Sequence, residues 1–340
     1  MVRIAYRDSK GAFSTSATVE QLPELLAQCN KTDNALLWVE LREPPGDEAG
    51  QRQLVEIEHI LRDVFGFHQL AIEDALTESH VPKIDDWGDY IYIVLHDVHF
   101  DRAQEDIDLH ELDIFLGDNY LVTYHHEDVP ALESEWINLG QDQRHQKNGA
   151  DYLLYQLCDR IASDFLPCMD AIDDVVDQIQ DTVFSDPAPV LVGRVLKLKR
   201  AVLNLRRILS PQREVLNKLA RDEYKVVEVK ARIYYRDVYD HFVRLVDLNE
   251  SSRDIIAGAL DTYLSVTANR TNEVMKALTL VTTLFMPLSF VTGFFGMNFF
   301  GGLTEVPHTL NPQVLFIGVI ATMIIIPAVM VMFMRRRGWW

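Results

Sequence analysis

TNEVMKALTLVTTLFMPLSFVTGFFGMNF, residues 271–299, decides how this chain is read. From Ala277 to Phe295 it runs for about 19 residues without a charge, long enough for one helix to cross a hydrocarbon core. A second uncharged run, Val314 to Met334, adds about 21 more. Glu305 is the single charged residue between Lys276 and Arg335. A buried pair of soluble helices rarely leaves two such runs back to back, so the sequence predicts two membrane spans. Arg270 and Lys276 precede the first span, and Arg335, Arg336 and Arg337 follow the second. The loop from Phe299 to Gln313 carries no lysine or arginine. The positive-inside rule therefore puts both termini in the cytoplasm and the loop outside, with Trp339 and Trp340 suited to the interface.

Upstream of the first span, no proline interrupts the chain from Gln212 to Met286. A single helix can run from about Tyr224 into the membrane, and residues 232–295 alone would span roughly 95 Å. A helix of that length needs partners, either copies of itself or a sheath from the preceding segment. That segment reads as a hairpin. Residues 151–184 place Leu154, Leu157, Ile161, Phe165, Met169, Ile172, Val176 and Ile179 at helical spacing. The opposite face holds Asp164, Asp170, Asp173, Asp174, Asp177 and Asp181. After the SDPAP break a basic helix follows over 191–209, and cross-helix ion pairs or two merely solvated faces fit equally well.

Residues 1–150 alternate strand-like and helix-like stretches. NALLWVEL (34–41), DYIYIVLHDVHF (89–100) and ELDIFLGDNYLVTYHH (111–126) are rich in β-branched and aromatic residues and bounded by turn signals. QRQLVEIEHILRDVFGF (51–67) has a helical period through Leu54, Ile57, Ile60, Leu61 and Val64. The chain of 340 residues carries 51 acidic and 32 basic residues, a net charge of −19. That balance speaks against nucleic acid as a partner, and it serves either solubility or the gathering of cations. Cys29, Cys158 and Cys168 show no metal-site spacing and read as reduced thiols. The N-terminus lacks the apolar core of a signal peptide, which predicts a cytoplasmic first domain.

One face of the first span mixes small, hydroxyl and thioether groups. Steps of three and four give Met275, Leu278, Thr282, Met286, Ser289, Gly293 and Met297, and Asn272 lies one turn earlier. Taken alone, this stripe fits close helix packing or a path. It contains no carboxylate, so a divalent ion passing it would keep its water shell and meet only neutral oxygens.

With its GMN tripeptide at Gly296, Met297 and Asn298 closing the penultimate apolar span, this segment resembles the first membrane helix of the CorA magnesium transporter family. The resemblance extends through GADYLLYQL (149–157), RDVYDH (236–241) and LDTYLS (260–265). It implies a funnel-shaped homopentamer in the cell inner membrane, with an α+β cytoplasmic domain, a long-helix stalk and two C-terminal transmembrane helices. The divisions are residues 1–150 for the α/β domain, 151–275 for hairpin and stalk, 276–296 for the pore-lining span, 297–313 for the outer loop, 314–334 for the second span and 335–340 for a basic tail.

It further implies roles. Asn298 and the Gly296 carbonyl form the outer hydrated-ion site; Gly293, Ser289 and Asn272 form inner polar rings; Met286, Leu278 and Met275 form a hydrophobic constriction. Asp261 lies at the cytoplasmic mouth, and Asp101 and Asp237 are the inter-subunit carboxylates that sense metal. The implied function is Mg2+ influx, with Co2+ or Ni2+ as further cargo, gated by cytoplasmic Mg2+ between subunits. The loop FFGGLTEVPHTLNP lacks an MPEL-type stretch and offers only Glu305 to attract cations, which keeps a Zn2+ transporter, with or without proton coupling, as the alternative. His96 and His99 fall on opposite faces of a strand, so they and His110, His125 and His126 read as ordinary sheet and loop residues. No P-loop, GxSxG, HExxH or kinase signature suggests an enzyme.

Overall fold

The computed structural model describes residues 1–338 apart from positions 10, 33, 45–47, 79–80, 102–105, 140–147, 186–187 and 298–311. Its strands are β1 (Val2–Arg7), β2 (Phe13–Ser14), β3 (Leu36–Arg42), β4 (Lys83–Asp86), β5 (Tyr90–Asp101), β6 (Asp106–Gly117) and β7 (Tyr120–His125). They form one sheet in the order β2-β1-β3-β7-β6-β5-β4, antiparallel except where β3 meets β7. The stretch 111–126 is a hairpin, split at Asp118 and Asn119. Gly117 permits that turn, because a Cβ there would lie 2.2 Å from the Tyr120 ring. Strands β1, β2 and β4 were not legible; β2 is two residues long and β4 is KIDD.

Alternation sorts each strand onto two faces. Leu37, Val39 and Leu41 of β3, Tyr92 and Val94 of β5, Phe115 of β6 and Val122 of β7 share one core with helices α1 (Leu22–Cys29), α2 (Glu48–His59) and α3 (Gln69–Leu76). A π-helical turn, Ile60–Val64, follows α2 and buries Ile60 and Leu61. On the other face Trp38 stacks on Trp136 of α4 (Pro130–Asn138) at 4.5 Å, and Trp38 Nε1 donates to Thr123 Oγ1. Helix α5 (Ala150–Ser185) lies against β5, with Leu154, Leu157, Ile161 and Phe165 fully buried as their period predicts.

Helix α6 spans Pro189–Arg221 and so continues through Pro211, past the 209 boundary expected from the sequence. An interior proline costs about 3 kcal/mol. Burial of Val215, Leu216 and Leu219 offsets this, as does Gln212, whose buried amide bonds both the N–H and the C=O of His96. Helix α7 spans Arg232–Gly296 and starts later than Tyr224. Buried Val226 and Val227 pin the preceding connector, and Asp151 Oδ2 accepts the Glu228 N–H at 3.0 Å. Helix α8 is Pro312–Arg336. Both α7 and α8 contain stretches long and apolar enough to cross a membrane. The chain divides into two compact units, Met1–Thr262 and Tyr263–Trp340, and α7 contributes to both.

Asp97 is fully buried on β5. Its Oδ1 accepts the Val98 N–H at 2.8 Å, and the Ala131 backbone also helps to stabilise the ionised form. Burial pushes this carboxyl up to about 6, and Asp164 adds to the rise. The folded value lies above the unfolded one, so ionising Asp97 opposes folding as pH rises through this window. Asp97→Asn is therefore expected to stabilise the chain by on the order of 1–3 kcal/mol at pH 7.5 and by nothing at pH 3.5. Thermal denaturation of the full chain in detergent at both pH values checks this; an equal effect at both would exclude the ionisation account.

Candidate ion path and metal-sensing residues

Asn272, Met275, Leu278, Thr282, Met286, Ser289, Gly293 and Met297 are all exposed in the single chain. The half-buried residues of the same span are Leu280, Thr283, Leu284, Pro287, Leu288 and Val291, at helical spacing on another side. That is the side of α8, since Thr283 shares a groove with Val329, Met330, Phe333 and Met334. The polar stripe is thus not the surface α7 uses against its own partner helix. Among the described residues, nothing lies within 4 Å of where a Cβ would stand on Gly293 or Gly296, so both leave backbone open there. Thr282 Oγ1 donates to the Leu278 carbonyl at 2.9 Å, which occupies its proton and turns its lone pairs outward. Pro287 sits inside α7, which continues past it. Asn298 and Glu305, together with Trp339 and Trp340, lie outside the described residues.

The carboxylates assigned to sensing are dispersed. Asp101 ends β5, half-buried, in register with Asp106 across the hairpin. Asp237 is exposed on α7, and Asp261, equally exposed, lies nearly seven turns further along the same helix. Asp237 has a neighbour that the sequence did not suggest. Asp159 of α5 is held above the ordinary carboxylate range by partial burial, His241 opposes that rise, and the negative charge of Asp237 adds to it. His241 Nδ1 lies 3.8 Å from Asp159 Oδ1. Among the described residues, no three His, Cys, Asp or Glu side chains converge to hold a metal within one chain.

The histidines pair with separate carboxylates instead of gathering. His96 faces Glu111 at 3.5 Å, His110 faces Glu127 at 2.8 Å, and His126 faces Glu43 at 2.6 Å. His125 lies between two acceptors, with Nε2 at 3.2 Å from Glu40 and Nδ1 at 2.5 Å from the Glu127 carbonyl. Arg3 holds Glu40 through two bonds, at 2.9 and 2.6 Å. Burial raises and these partners lower the Glu40 carboxyl, and the partners win. None of these pairs was legible, because each joins residues whose proximity depends on strand order.

Comparison with known proteins agrees with this architecture. The family model "CorA-like Mg2+ transporter protein" matches residues 33–336. The chain is 36% identical over 281 residues to "Cobalt/magnesium transport protein CorA" of Thermotoga maritima, covering 82% of this chain and 78% of that protein. A more distant relative, "Zinc transport protein ZntB" of Yersinia enterocolitica, is 23% identical over 231 residues, covering 68% and 70%. The fold is similar to the complete structure of the CorA magnesium transporter from Methanocaldococcus jannaschii, with a TM-score of 0.80 over 99% and 98% of the two chains at 21% identity. The α+β first domain, the long helix and two spans long enough for a membrane are thus family features, and the chain belongs to the CorA family of Mg2+ transporters.

Proposed function

We propose that this protein is a metal-gated channel of the cell inner membrane that admits Mg2+ into the cytoplasm. Five copies of α7 surround the path, and the termini lie in the cytoplasm. The observation that carries this reading is the exposed, carboxylate-free stripe on the side of α7 away from α8. A surface of hydroxyl, amide and thioether groups is left without a partner in one chain and becomes a lining when copies close around it. Neutral oxygens there hold a hydrated ion weakly enough to release it, as conduction requires. Met275, Leu278 and Met286 interrupt this lining with apolar side chains, which suits closure by dewetting. The name of the Thermotoga relative supports Mg2+ and Co2+ as cargo.

Gating is proposed to reside in Asp101 and Asp237. Because no such ligand cluster forms among the described residues of one chain, a divalent ion at these residues would be shared between neighbouring copies. Metal then favours the closed ring, and its loss leaves like charges that favour splaying.

Ion competition tests the cargo. In liposomes with a negative interior potential, Mg2+ uptake is expected to be inhibited by Co2+ and Ni2+ and to be indifferent to a pH gradient. The zinc relative favours a second reading, Zn2+ transport. Zn2+ uptake exceeding Mg2+ uptake, and accelerated by a proton gradient, would establish that reading in place of the first.

A further inference from the structure

A groove of about 390 Å3 opens between the two spans, lined by Thr283 of α7 and by Val329, Met330, Phe333, Met334 and Arg337. Its volume is that of a small-molecule cleft, and its wall is apolar except at one end. At that end the Arg337 guanidinium lies over the Phe333 ring at 5.3 Å, within the roughly 6 Å reach of such a contact. The helix closes there through the Arg337 N–H, which donates to the Phe333 and Met334 carbonyls, and Gly338 follows at a φ of +70°. This termination fixes the arginine at the groove mouth. Lys276 stands seven residues before Thr283, about two turns, hence on the same side of α7.

Acids are sparse in the sequence around these charges. No aspartate or glutamate occurs from Val274 to Thr304 or from Val306 to Trp340, in a chain whose net charge is −19. The nearest acid on α7 is Glu273, one turn further from the span than Lys276. An occupant must therefore offer a hydrocarbon segment to the wall and a negative charge to the mouth. A second copy of the two spans would bring the same apolar residues and the same cations. A phospholipid with net negative charge brings both elements at the depth required, and basic pockets between membrane helices on the cytoplasmic side are known to suit such headgroups.

We propose that this groove is a binding site for an anionic phospholipid, its acyl chain lying along Thr283, Met330 and Phe333 and its phosphodiester set against Arg337 and Lys276. The lipid comes from the cytoplasmic leaflet, which rests on the topology proposed above. Bound there, it joins α7 to α8 at the level where the path enters the membrane, so it couples leaflet composition to the position of the lining helix.

Full-length protein purified in mild detergent and exposed to equal amounts of phosphatidylglycerol and phosphatidylcholine tests this, with retained lipid read by native mass spectrometry. Phosphatidylglycerol is expected to exceed phosphatidylcholine by about 25-fold, the product of the roughly five-fold that each of two nearby cations supplies. Arg337→Gln and, on the facing wall, Lys276→Gln are each expected to lower that ratio about five-fold. Met330→Trp fills the groove and is expected to reduce retention of both lipids while leaving the oligomer mass intact. Equal retention by the unaltered chain, or a ratio unchanged in both charge variants, overturns the proposal. So does a Met330→Trp chain that dissociates without losing lipid, which would give the groove to a neighbouring copy. This readout does not depend on which ion is carried, so its failure and the failure of the channel reading are separable.

Discussion

Liposomes carrying the Asn298→Ala chain are expected to take up Mg2+ no faster than protein-free liposomes. Mg2+ gives up its inner water shell reluctantly, so its first contact with a neutral site passes through bound water. An asparagine amide supplies a carbonyl oxygen that accepts from that polarised water, and alanine supplies nothing. Hydrogen bonds involving a charged group are worth about 1.5–3 kcal/mol each. In a ring of five copies, losing even two of them lowers occupancy of the mouth by roughly two orders of magnitude or more. The measurement is uptake followed by an entrapped Mg2+ dye under a potassium diffusion potential, with oligomer mass checked in detergent. Uptake at the unaltered rate would remove Asn298 from the path.

Asp237→Ala is expected to abolish protection of the first domain by Mg2+ in limited proteolysis, and to leave uptake active at internal Mg2+ that silences the unaltered chain. Removal of one carboxylate from a hard-cation site lowers affinity by about tenfold or more, near 1.4 kcal/mol. Five equivalent interfaces acting together sum this to about 7 kcal/mol of lost closed-state bias at saturating metal, more than the roughly 5.5 kcal/mol that carries a two-state equilibrium from one extreme to the other. The structure adds a refinement. Asp159 feels the charge of Asp237, so the variant relieves a repulsion and leaves a more acidic carboxyl beside the lost one. Residual protection, if Asp159 supplies it, should vanish in Asp159→Asn/Asp237→Ala. Full protection in both variants would show that Asp237 is surface charge alone.

How much of this could be read without coordinates depended on the range over which each signal acts. The spans were legible because an uncharged run of helical length is a local pattern. The buried series Leu154, Leu157, Ile161 and Phe165 was legible for the same reason. The start of α7 was not, since the latch that delays it joins Asp151 to Glu228 across 77 positions. The continuation of α6 through Pro211 depends on Gln212 reaching His96, 116 positions away. Glu40 and His125 meet only because β3 and β7 run side by side, which no spacing announces. Asp159 was missed as a companion to Asp237 because it lies on a different helix, two turns into an acidic-looking face.

The two margins of the sheet bear on how copies can gather. At one margin stands β2, two residues long; at the other stands β4, whose Lys83 pairs with Asp74 and Asp85. A short strand and a charged one offer little unpaired backbone for a stranger to zip onto. Proteins that must crowd several identical sheets into one assembly risk strand exchange, in which the wrong edges fuse and the product is a fibre. Blunted margins remove that route, so crowding here is left to side-chain surfaces that can part and rejoin. The ring proposed above, loosening and tightening with metal, would require contacts of this reversible kind.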